Sequence, residues 1–173
     1  MKNRNLQLKL LSFYQIFGGL LGCAISLWVF ISLISIQRKE DILFYTVLSL
    51  CSFSLYIYSI FCGSLLLRKS SRIKGLHFSL VNQLMQVVSF SIFGFAFKYI
   101  SGLYTSIGFD LVKNTLLFKW GLSTWEILFN SNSVISEIHI NIFSLLLVFL
   151  IDRLLRIFAL SDIEEYKIEG AQP

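Results

Sequence analysis

The residues of this chain that could do chemistry are few, and most of them sit inside apolar runs. Gln15, Tyr56, Asn82, Gln83, Gln86 and Asp152 make up the polar inventory of those runs. An amide or phenol in apolar surroundings needs hydrogen-bond partners, because an unmet polar group there costs several kcal/mol. Two chemistries fit such residues. One is glue between helices, worth about 0.6 kcal/mol per bond. The other is the lining of a polar route for an ion or a small molecule. Asp152 is the one acid within reach of the runs, and Arg156 four residues on offers it an interfacial ion pair. A proton or cation relay is the functional alternative for Asp152.

No catalytic constellation accompanies these groups. His77 and His139 lie near opposite ends of the expected helices and cannot share a site. H-E-x-x-H, G-x-S-x-G, P-loop and G-x-G-x-x-G motifs are all missing from the sequence. Cys23, Cys51 and Cys62 are odd in number, without a C-x-x-C, and read as small apolar residues. The expectation is therefore a non-enzymatic chain with no catalytic residue, no metal ligand and no cofactor.

The elements that position these residues follow from composition. Of 173 residues 55% are apolar and 14% charged, with a mean hydropathy of +0.72. An ordinary soluble domain carries about 25% charged residues. That balance excludes a disordered chain and points to a single integral membrane domain over 1–173, in contact with the lipid bilayer. The basic residues punctuate apolar runs instead of forming one solvated face, so no nucleic acid is expected. Residues 10–37, 42–67 and 75–97 carry no charge. Each run exceeds the ~18 residues that mark a transmembrane helix. The run 138–151 is shorter, but its apolar pattern continues past Arg153 and Arg156, whose side chains can snorkel to the headgroups. The reading is an all-α membrane protein with a small β element: a four-transmembrane-helix antiparallel bundle with spans at about 11–36, 42–67, 76–98 and 141–161. An acidic tail, 162–173, follows it.

Small and polar residues fall at spacings of three and four within each run. Gln15, Gly18, Gly22 and Ser26 form one such set; Tyr45, Ser49, Ser52, Tyr56, Ser59 and Gly63 another. Ser79, Asn82, Gln86 and Ser89 form the third, and Asn141, Ser144, Val148 and Asp152 the fourth. Such spacing puts each set on one helix face. Helices in lipid associate through close backbone approach and interhelical hydrogen bonds, so the seams should turn inward, with Gly18, Gly22 and Gly63 as packing positions.

Four spans put the termini and the 68–77 loop on one side, with ten Lys and Arg against five on the other. The positive-inside rule makes that side cytoplasmic, which is the plasma (inner) membrane if the chain is bacterial. The turn 37–41 and a segment of about 99–140 are then external. In that segment Leu116, Phe118 and Trp120 alternate with Leu117 and Lys119; Trp125, Ile127 and Phe129 alternate with Glu126 and Leu128; Ile138 and Ile140 alternate with His139 and Asn141. Period two argues for strands, with turns at Gly121 and 130–133. The expectation is an external two- or three-stranded meander between the third and fourth spans. Trp120 and Trp125 are either an aromatic belt or cross-strand pair, or a partner surface. In layout alone the chain is similar to the tetraspanins, but no cysteine lies beyond Cys62 and nothing functional carries over.

Together these features point to an accessory or assembly subunit that binds other membrane proteins or copies of itself. The alternative is a small oligomeric transporter or channel using the polar seam of the third span.

Overall fold

A computed structural model describes residues 2–36, 42–128 and 136–169, with side chains described at 4–32, 42–128 and 136–158. Two long helices come first, α1 (Lys2–Ile36) and α2 (Ile42–Leu67). A 3-10 turn (Lys69–Ser71) leads into α3 (Arg72–Val87). Six strands follow: β1 (Val88–Ile92), β2 (Phe95–Ile100), β3 (Tyr104–Asp110), β4 (Thr115–Gly121), β5 (Thr124–Leu128) and β6 (Glu137–Asn141). The last element is α4 (Ile142–Glu169).

This arrangement corrects the four-span bundle. Among the described residues, only α1, over Arg4–Ser32, and α2 are long and apolar enough to cross a membrane by length and composition. The third uncharged run does not continue as helix. From Val88 its β-branched and aromatic residues alternate with serine, a period that suits a strand and not a helix. The chain then reverses at Phe93 and Gly94, both at positive φ, the backbone of a tight hairpin turn. The fourth run does form a helix, but it is not among the span candidates; acidic and basic residues enter it from Asp152 on. It reaches Glu169, into the segment expected to be tail.

The meander is corrected as well. All six strands form one antiparallel sheet in the order β4-β3-β6-β1-β2-β5. The three expected strands exist, as β4, β5 and β6, but they are not neighbours. β5 pairs with β2, and β6 lies between β1 and β3. Pairing of this kind is set by tertiary contacts that no local pattern carries. The expected turns at 37–41 and 130–133 lie outside the described residues.

The helices meet at one end in an apolar cluster of Leu8, Leu11, Leu66, Leu76, Ile151 and Leu154, with a contribution from each helix. At the other end the sheet lies beside α1 and α2. The two halves are joined without linkers: α3 runs directly into β1, and β6 directly into α4. At the second joint Asn141 caps the helix. Its Oδ1 accepts hydrogen bonds from the backbone N–H of Phe143 and Ser144, and its Nδ2 donates to Ser144 Oγ.

Candidate functional site

Three places gather the groups that could act: a buried polar layer between helices and sheet, a polar lumen inside the sheet, and an apolar groove on its outer edge.

The buried layer holds most of the seam residues. Gln15, Tyr56, Asn82, Gln83 and Gln86 are each at most 1% exposed. Asn82 is fully engaged, its Oδ1 accepting from Tyr99 OH and its Nδ2 donating to Ser59 Oγ. Gln86 Oε1 accepts from the backbone N–H of Ser101 at 2.8 Å, and its Nε2 donates to the Asn82 carbonyl in the preceding turn. Gln15 Oε1 accepts from Ser79 Oγ. Tyr56 OH donates to the Ile100 carbonyl, and its ring lies 5.5 Å from that of Tyr99. Gln83 is different. Neither its Oε1 nor its Nε2 has a hydrogen-bond partner. Asp152 stands apart from the layer, half exposed and paired with Arg156 at 2.8 Å.

The glycines explain how this layer closes. A side chain on Gly22 would run into the Tyr56 ring, and one on Gly63 into Ile16 and the Ser12 carbonyl. Gly18 opposes the backbone of Ser101 and Gly102, so it admits the sheet against α1. Tyr99 and Ser101 were not singled out from sequence, yet they bond to the seam residues Asn82, Gln86 and Ser59. Ser101 Oγ donates to Ser59 Oγ at 2.9 Å. The 3-4 spacing held the signal for Ser59; nothing local marked Ser101.

The lumen follows from strand register. Across the sheet, Lys119, Ser106, Gly108, Glu137, His139, Ser89, Ser91, Lys98 and Glu126 fall on one face. Glu137 Oε2 accepts from Lys119 Nζ at 2.5 Å and lies 2.9 Å from His139 Nε2. Burial pulls the Glu137 carboxyl upward, but the bonds from Lys119 and His139 outweigh it and hold the group below its usual range. Gly108, opposite His139 in register, leaves room for the imidazole; any side chain there would strike the ring. His139 Nδ1 is buried without a partner. Lys98 Nζ lies 4.8 Å from the centre of the Tyr104 ring. Lys119 on β4 and Glu126 on β5, from opposite ends of the strand order, line one cavity of about 50 Å³ with these residues. A flat six-stranded sheet would separate its outer strands by roughly 24 Å, so the sheet is curled around its polar face.

The groove is larger, about 470 Å³, and apolar. Ile25 and Val29 of α1, Phe44 and Leu48 of α2, and Trp125 and Ile127 of β5 form its walls. Trp125 is half-buried in this wall, whereas Trp120 stands 76% exposed on the outer face of β4. The two tryptophans thus belong to different surfaces.

No protein-family model matches the chain, and neither a curated protein nor a solved structure shows a significant similarity to it. The geometry alone carries the functional argument. Among the described residues, no group of three His, Cys, Asp or Glu could hold a metal ion.

Proposed function

We propose that the protein is a non-enzymatic integral membrane subunit that binds another membrane protein in the groove between α1, α2 and β5. In this reading α1 and α2 cross the bilayer. Helices α3 and α4 rise from the same side to the level of the polar layer, and both termini are cytoplasmic. The basic residues Arg4, Lys9, Arg68, Lys69, Arg72 and Lys74 then lie on the cytoplasmic side.

The observation that supports it is the pairing of an apolar groove with an open strand edge. β5 is the terminal strand of the sheet, so one row of its backbone groups has no ladder partner among the described residues. An acyl chain can fill an apolar groove, but it cannot satisfy N–H and C=O groups. An extended apolar segment of a partner protein does both, by adding a strand.

The test is a photoreactive amino acid at Ile127 or Val29, irradiated in native membranes, with Leu20 on the exposed face of α1 as the control position. The expected result is one protein adduct, formed from both groove positions and not from Leu20, in which the cross-linked peptide of the partner is an extended apolar segment. Lipid adducts alone, or equal adducts from Leu20, overturn the reading.

A transporter or channel is the second reading, and the orphaned amide of Gln83 favours it. Gln83→Leu with unchanged folding and lost vesicle uptake would promote it.

A further inference from the structure

The sheet is built inside out. In a soluble sheet the apolar face turns to the core and the polar face to water. Here, on β1, β3 and β6, the lumen face carries the buried members, with Ser106 at 3%, Asp110 at 5% and His139 at 7% exposure. The opposite face of the same strands carries Leu116, Phe118 and Trp120 on β4, Ile107 on β3, Ile140 on β6 and Val88 on β1, each 46–77% exposed. The registers Ile107↔Phe118, Ile107↔Ile140 and Val88↔Ile140 make these side chains one continuous apolar surface over four strands. Its breadth goes beyond the scattered apolar residues of an ordinary surface.

Its height along the helices is fixed by contacts. Gly18, the midpoint of the Arg4–Ser32 span, meets the backbone at Ser101 and Gly102. Tyr99 OH donates to the Leu55 carbonyl at 2.8 Å, and Tyr56 OH to the Ile100 carbonyl, both near the middle of α2. The inner ends of β2 and β3 therefore lie at mid-height of both span helices, and the strands rise beside the outer halves. Strands of five to seven residues extend roughly 17–23 Å at ~3.3 Å per residue. Half a hydrocarbon core is about 15 Å thick. At the far end the β3–β4 turn carries exposed Lys113 beside exposed Leu111 and Val112, and Asp110 Oδ1 accepts from the backbone of Val112 and Lys113.

We infer that the six-stranded sheet is immersed in the outer leaflet, with the Ile107, Phe118, Trp120 and Ile140 face against lipid acyl chains and the polar face turned away from them around its lumen. This goes beyond the groove as a docking site, and it rests on α1 and α2 being spans. Apolar outside and polar inside is the pattern of strands in a bilayer, and it accounts for Lys98, Lys119, Glu126 and Glu137 lining one cavity on the side away from the apolar face. β4 and β5 are joined by Leu122 and Ser123, and Ser123 Oγ, donating to the Gly18 carbonyl and accepting from Gly102 N–H, pins their inner ends to α1.

The experiment uses the purified full chain in phosphatidylcholine vesicles with brominated acyl chains, which quench tryptophan within the hydrocarbon. Two single-tryptophan proteins are compared, one keeping Trp28 on α1 and the other Trp120, the remaining tryptophans being replaced by phenylalanine. Both emissions are expected to be blue-shifted, quenched at least twofold by brominated lipid, and changed by less than a fifth with aqueous acrylamide. Trp28 quenched by bromine with Trp120 quenched by acrylamide overturns the inference and leaves the spans standing. Acrylamide quenching of both overturns the spans too. A benzophenone amino acid at Phe118 in the otherwise native chain gives an independent readout: lipid adducts by intact mass support immersion, and their absence beside lipid adducts from Leu20 refutes it.

Discussion

Gln83 and Gln86 lie three residues apart on α3, both essentially fully buried, and replacing each by leucine should move stability in opposite directions. Gln86→Leu removes the acceptor of the Ser101 N–H, a backbone group that no substitution can delete. Ser101 is itself fully buried, so its donor has no route to water. Leaving a buried donor unmet costs about 1–3 kcal/mol, while the leucine regains part of that through apolar burial. The net loss is expected at about 1–2 kcal/mol, above the ~0.6 kcal/mol typical of a membrane hydrogen bond. Gln83→Leu takes away an amide with no partner at either atom. Its desolvation penalty disappears with it, and stability should stay level or rise by up to about 1 kcal/mol. The assay is unfolding of both variants in the same detergent by circular dichroism, with Gln83→Leu/Gln86→Leu completing a cycle. Equal losses for the two variants, or a neutral Gln86→Leu, would refute the claim that the Ser101 bond anchors the end of β2 to α3.

Three other outcomes are expected. Gly22→Ala places a methyl group in the Tyr56 ring; a loss of about 1–3 kcal/mol from overpacking should appear as a lower melting temperature. Asn141→Ala removes the cap at the β6–α4 joint, and about 0.5–2 kcal/mol should be lost, while Asn141→Asp retains most of it. Glu137, held below its usual carboxylate range by Lys119 and His139, should stabilise the fold at neutral pH. That stability is present above the ordinary carboxylate range and disappears as pH falls through the lowered value, so melting curves at pH 7 and pH 3 should differ less for Glu137→Gln than for the native chain.

What the sequence made legible were the local periods. The seams on α1 and α2 appeared as 3-4 spacings, and the structure buries Gln15, Gly18, Gly22, Ser26, Ser49, Ser52, Tyr56, Ser59 and Gly63. The strands over 115–128 and 137–141 appeared as alternation. The stretch from Val88 to Phe97 alternates too, but its lack of charge reads as length for a helix, and length says nothing of period. Alternation also leaves open which face turns inward. Glu137 and His139 turn into the lumen of the curled sheet, a placement that alternation alone does not give. The partners of β5 and β6, and the Gln86–Ser101 bond, depend on contacts distant in sequence, for which one chain offers no signal.

The place of β6 has a consequence for how the chain is made. β6 is the last strand to be synthesised, yet it lies between β3 and β1 and pairs with both. Until residue 141 has emerged, β1, β2 and β5 can assemble on one side and β3 with β4 on the other, with no ladder pairing between the two sets among the described residues. The five earlier strands must therefore wait, with the facing edges of β1 and β3 uncovered, for a five-residue segment whose insertion fuses the halves and starts α4 in the same stroke. A ribosome stalled before Glu137 would hold a split sheet, and the interval before β6 arrives is when the chain is most exposed to mispairing or to capture by a chaperone.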